Sequence, residues 1–205
     1  MTTWTSEVLL AGAMCLALAG CDDLAALDTG SGGGNALASA TLARGAVILV
    51  PAEGFCVDKR SVRAEFALMA RCDTLGSKTT FGAPLAIITA ATVSQAAANG
   101  GANAGFGPEG ETVLVRRQTE TMTLLKVRGT PPGPEMRGEF WRAIGPVGDQ
   151  LVGLAIYEAA DDAELGERAA DLLARTLRRT RAQTDRQTVA AQDNSATAGS
   201  NPSTN

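Results

Sequence analysis

Between Ala46 and Val50 the chain reads AVILV, apolar at every position, and Pro51 and Gly54 stop the run. That pattern predicts a short buried strand. Phe66–Cys72 (FALMARC) alternates instead. Phe66, Leu68, Ala70 and Cys72 share one face, expected to look inward, and Met69 and Arg71 share the other. Leu85–Val93 (LAIITAATV) reads as another β-rich run, whereas Ala96–Gly110 is too rich in Gly, Ala and Asn to pack and reads as a loop. Thr112–Arg128 predicts one long strand or a hairpin with Val113, Val115, Leu125 and Val127 inward, ended by TPPGP at Thr130–Pro134. Phe140–Ile144 and Leu151–Tyr157 predict two strands joined through Gly145, Pro146, Gly148 and Asp149. Trp141 and Tyr157 fall on these adjacent strands and read as core.

The period changes near Asp162. Leu165, Ala169, Leu172, Leu173 and Leu177 form one stripe at helical spacing, which predicts a helix over 162–182. Asp161, Asp162, Glu164 and Glu167 stand at its start and Arg175, Arg178, Arg179 and Arg181 at its end, in the sense that complements the helix dipole. The fold class expected is α+β: a mostly antiparallel sheet packed by one long C-terminal helix. From Gln183 the chain turns polar and small-residued, so 183–205 reads as a disordered tail. The order of short strands ending in one long helix resembles the Mog1/PsbP-type sandwich, a likeness of element order that no motif accompanies.

The first residues carry a separate signal. Val8–Ala19 (VLLAGAMCLALA) is an uncharged apolar run of twelve residues. A membrane-spanning helix needs about 20, so the run has the length of a signal-peptide core. Leu18-Ala19-Gly20-Cys21 follows, and it resembles the lipobox of bacterial lipoproteins: aliphatic, small, Gly or Ala, then Cys. The resemblance implies recognition through Leu18, Ala19 and Gly20, cleavage before Cys21, a diacylglycerol thioether on its sulfur, and acylation (palmitate being typical) of the new amine. The n-region MTTWTSE departs from the usual export signal, having Glu7 and no Lys or Arg. Asp22 follows the cysteine, which in enterobacterial lipoproteins favours the inner membrane over the outer. Residues 22–43 hold no basic residue and a GSGGG core, the composition of a flexible tether. The organisation expected is therefore a signal peptide over 1–20, a lipidated tether over 21–43, a periplasmic domain over 44–182 and the tail.

Of four cysteines, Cys15 leaves with the signal peptide and Cys21 takes the lipid. Cys56 and Cys72 remain, and an oxidising compartment favours a disulfide between them. Their spacing is not C-x-x-C, and the chain has no histidine to complete a zinc site.

The absence of histidine among 205 residues also removes Ser-His-Asp and Cys-His nucleophile systems. A net charge of −4 and eight aromatics offer neither a basic field nor a stacking platform for nucleic acid. Gly105–Gly110 matches G-x-G-x-x-G, but a dinucleotide site needs a strand before it and a helix after it. Here a loop precedes and a strand follows. Ser61 near Lys59, Ser77 beside Lys78, Glu109 with Glu111, and Asp161 with Asp162 are the remaining catalytic candidates, all in loops or at a helix cap. The arginines 175–186 suit anionic headgroups, an acidic partner or a solvated helix face. No catalytic residue, cofactor or metal is assigned. The expected role is that of an envelope lipoprotein with a non-enzymatic binding or assembly function, its partners the bilayer through Cys21 and an envelope protein. The alternatives are an envelope hydrolase using carboxylates or a Ser-Lys pair, and a soluble secreted protein.

Overall fold

The computed structural model describes residues 34–78, 82–98 and 110–198, with side chains as far as 193. Residues 1–33, which contain the apolar run, the lipobox and Cys21, lie outside the described residues, as does Gly105–Glu109 of the glycine motif.

Among the described residues, ten strands and one long helix form two layers. In chain order they are β1 (Ala36–Leu37), β2 (Ala40–Leu42), β3 (Val47–Leu49), β4 (Phe55–Asp58), β5 (Phe66–Arg71) and β6 (Ala86–Ser94). A short helix α1 (Gln95–Ala98) follows, then β7 (Thr112–Gln118), β8 (Thr123–Arg128), β9 (Glu139–Val147), β10 (Gln150–Glu158) and α2 (Glu167–Ala198). Eight strands make one antiparallel sheet in the order β1-β4-β5-β6-β10-β9-β8-β7. Two meanders thus meet at its centre, where β10 pairs with β6 from Gln150↔Ser94 to Glu158↔Ala86. After β6 the chain moves to the far side and works back inward, so β7 becomes an edge.

The second layer is α2 together with the β2–β3 ribbon, and the core lies between the layers. Val57, Met69, Ile88, Trp141, Val147, Leu154 and Ile156 from the sheet meet Leu49, Leu172, Leu173 and Leu177. The expected fold class is the observed one, and the leucine stripe of the helix is its core face. Close approach at the crossing needs Gly145: a Cβ there would stand 2.8 Å from Leu177 Cδ2 and 2.7 Å from the Thr121 carbonyl oxygen.

Several boundaries and facings differ from expectation. Residues 34–43, expected as the end of the tether, carry β1 and β2, with Ala40 and Leu42 buried. They join the fold because β2 pairs with β3, from Ala40↔Leu49 to Leu42↔Val47. The helix begins at Glu167, not Asp162, because Gly166 adopts φ +53° immediately before it. It also runs through residues 183–198, expected as tail.

The reason lies in a ladder of threonines. Thr176, Thr180 and Thr184 are all buried on α2. Their hydroxyl oxygens accept the amides of Ala52 (3.1 Å), Val50 (3.0 Å) and Ile48 (2.9 Å) along the outer edge of β3 and the residues after it. Four helical residues rise about 6 Å and two strand residues about 6.6 Å, so the two spacings stay in step over three rungs. The helix thereby covers a strand edge that would otherwise bury unpaired N–H groups.

On β5 the facing is the reverse of that expected: Ala67 and Met69 enter the core, while Phe66, Leu68 and Ala70 take the opposite face. The sheet is apolar on both faces, so alternation alone did not say which one the helix covers. Val113 and Val115 are exposed rather than inward, since β7 is an edge. Val127 is buried and Leu125 half-buried, in a smaller cluster with Phe140, Ala155 and Tyr157 on the side away from α2. Leu85 is exposed and lies just before β6.

Candidate functional site

Cys56 and Cys72 form a disulfide, S–S 2.01 Å, with Cα atoms 4.8 Å apart. It ties β4 to the residue after β5, and the Cys72 amide also donates to the Gly54 carbonyl at 3.0 Å. Beside it, Arg71 Nε donates to Asp73 at 2.9 Å, and this contact holds the Asp73 carboxyl below its usual range. The bridge braces the β4–β5 side of the sheet.

Of the catalytic candidates, Glu109 lies outside the described residues, and the others occupy turns and loops. The Ser61 hydroxyl donates to the Asp58 carbonyl (2.7 Å) and accepts the Leu68 amide (2.8 Å), which fixes the turn before β5, while Lys59 is exposed. Ser77 is half-buried and Lys78 exposed, with the Ser77 amide bonded to the Cys72 carbonyl at 2.9 Å. Asp161 and Asp162 are exposed in the turn before α2. The buried carboxylate nearby is Glu158, which accepts the Leu165 amide at 2.7 Å and so shapes the approach to the helix. Trp141 and Tyr157 are buried, on opposite faces of the sheet. Burial raises the Tyr157 phenol above its usual range, a neighbouring Arg142 charge opposing the shift. Among the described residues, no three Cys, Asp or Glu side chains come together as a metal site.

What the fold does expose is the edge strand β7. All seven of its residues are exposed, including Val113, Leu114 and Val115, and no strand pairs with its outer side among the described residues. A strand edge presents a row of free amides and carbonyls, a template for another strand. A bulge interrupts the β7–β8 register between Val113 and Val115, leaving Val115–Gln118 as the regular stretch.

Charged contacts hold this edge at both ends. At its start Glu111 reaches Arg142 of β9 at 2.5 Å, in a pair whose side chains are only 10% and 12% exposed. Gly129 makes room for it, because a Cβ there would lie 2.7 Å from Glu111 Cγ. Near its other end Arg117 lies over the Trp141 ring (5.2 Å to the centroid) and pairs with Glu167 in the first turn of α2 at 2.7 Å. Arg117 holds the Glu167 carboxyl below its usual range. On β8, Lys126 bonds Glu164 at 3.0 Å and approaches Glu139 at 3.4 Å, and Arg128 bonds Glu139 at 3.0 Å.

The chain matches no family model and no curated protein. The surface must therefore be read from its own chemistry. Among the described residues no helix is long and apolar enough to cross a membrane. Periodicity did not pick out β7 as exposed, because its edge position follows from where the chain goes after β6. The consecutive Val113-Leu114-Val115, apolar on both faces of one strand, was the available signal.

Proposed function

We propose that this protein is a membrane-anchored envelope lipoprotein, held through acyl chains on Cys21, with a non-enzymatic binding or assembly role facing the periplasm. The observation that carries the reading is Leu18-Ala19-Gly20-Cys21 at the end of a twelve-residue apolar run. The Cys56–Cys72 disulfide supports it, because such bonds persist in oxidising compartments and are rare in the cytosol. Each buried methylene contributes about 0.8 kcal/mol, so two or three acyl chains on one cysteine make a durable anchor without a spanning helix.

The binding role rests on β7. Its free edge, held by Glu111–Arg142 and Arg117–Glu167, is suited to an extended segment of a partner that adds as a ninth strand alongside Val115–Gln118. Arg116 is exposed there and favours an acidic residue opposite it. A photo-crosslinking residue at Leu114, compared with one at Ala182 on the helix, tests the role in the native host. A discrete product from Leu114 that Arg116→Pro abolishes is expected, since the Arg116 amide points away from β8 and proline removes that donor from the edge. Equal, diffuse labelling at both positions counts against it. For the anchor, Cys21→Ala is expected to move the protein from the membrane fraction to the soluble one.

A further inference from the structure

The solvent side of α2 carries a feature that neither the core nor β7 uses. Arg168, Arg175, Arg179 and Arg186 are all exposed. At 100° per residue their spacings of seven, four and seven place them within an arc of about 40°, in a straight line about 27 Å long. None of the four is in an ion pair among the described residues. The helix acids Glu167, Asp171 and Asp185 lie to one side, together with Arg178, and the line ends at Asp193. Arg181, grouped with these arginines by sequence, is not available to it. Its guanidinium donates to the Pro146 carbonyl (3.0 and 2.8 Å) and the Thr121 carbonyl (2.7 Å), clamping the helix onto the sheet.

The geometry points to this line as a docking face for an anionic phospholipid surface. The choice of a bilayer over an acidic protein rests on the lipid-anchored reading. Twelve residues, 22–33, separate Cys21 from Gly34, and even fully extended they reach only about 40 Å. An anchored domain is therefore confined with Gly34 within about 40 Å of the headgroups, which raises the local concentration of anionic lipid around the row. The β2–β3 ribbon, a few residues further along, already lies against α2 through Ile48 and Thr184. A straight row of charges fits a flat surface. The chain as a whole carries −4, so attraction to an anionic bilayer must come from a local concentration of positive charge such as this row.

Partitioning of the oxidised full chain carrying Cys21→Ser onto phosphatidylglycerol-containing and pure phosphatidylcholine vesicles tests this, read as the ratio of the two coefficients. Contributions of the N-terminal apolar run cancel in that ratio. With each of four arginines near an anionic surface worth about fivefold, the ratio is expected to be on the order of 10²- to 10³-fold at low salt and to collapse at high salt. Changing all four arginines to Gln should lower it at least tenfold, whereas Lys59→Gln, an exposed cation away from α2, should change it less than twofold. Matching urea midpoints establish that the variants are folded. A ratio near one, or one that the fourfold variant leaves unchanged, overturns the proposal and leaves the row to an acidic protein or to solvent. Because this chain lacks Cys21, failure here is distinct from failure of the anchor, which the mass of the N-terminal peptide reports.

Discussion

Thr184→Val isolates one rung of the threonine ladder and asks whether the helix beyond Gln183 belongs to the fold. Thr184 is 4% exposed, and its hydroxyl accepts the buried Ile48 amide at 2.9 Å. Valine keeps the shape and the methyl but offers no acceptor. An unsatisfied buried donor costs about 1–3 kcal/mol, and loss of the hydroxyl's own burial cost brings the net to about 1–2 kcal/mol. With a urea m-value of about 2 kcal/mol/M, the midpoint should fall by about 0.5–1 M at unchanged m. Thr184→Ser keeps the acceptor and loses one methyl, so it should cost about 0.8 kcal/mol or less. Exchange of the Ile48 amide should quicken in the valine variant alone. If valine leaves the midpoint unchanged, or serine costs as much as valine, the ladder does not hold the helix and residues after 183 contribute nothing to stability.

Other perturbations test the remaining supports. Glu111→Ala takes the carboxylate away from Arg142 in a nearly closed setting and should cost about 2–4 kcal/mol by urea unfolding; a cost under about 0.5 would contradict the pinning of β7. Gly145→Ala places a methyl against Leu177 and the Thr121 carbonyl and should cost about 1–3 kcal/mol from overpacking, detectable as a lowered Tm. Tyr157 is the single tyrosine, and burial raises its phenol, so its contribution to stability is full below the unfolded value of about 10 and is lost as pH rises through the folded value. The tyrosinate absorbance of the folded protein should therefore appear later in an alkaline titration than that of the urea-unfolded chain, and coincident curves would refute the shift.

The parts of this fold legible in the sequence are those set by local pattern. The stripe Ala169, Leu172, Leu173 and Leu177 is a property of one helix, and it did face the core, with Leu165 packing against it from just before the helix. The Cys56–Cys72 pairing was expected from the cysteine count and an oxidising compartment, and the disulfide is present. What escaped depends on distant partners. Whether Met69 or Leu68 faces the core requires knowing which side of a doubly apolar sheet α2 covers. The exposure of Val113 and Val115 requires knowing that the chain crosses to the far edge after β6. Helix 183–198 looked like tail because Thr184 and Thr188 read as polar, although Thr176, Thr180, Thr184 and Thr188 recur every four residues. At Thr176, Thr180 and Thr184 that period is a buried face whose hydroxyls satisfy a strand edge rather than solvent, while Thr188 is exposed and donates to the Thr184 carbonyl at 3.1 Å. The β7 edge was hidden for the same topological reason.

The account turns on Cys21, and the mass of the N-terminal peptide recovered from the membrane fraction tests it most directly. The expected peptide begins at Cys21 and carries the added mass of a diacylglycerol thioether, and Cys21→Ala loses both the modification and the membrane association. An unmodified peptide in which residues before Cys21 remain attached would contradict the anchor, and with it the compartment that makes a binding role at the envelope the best reading of β7.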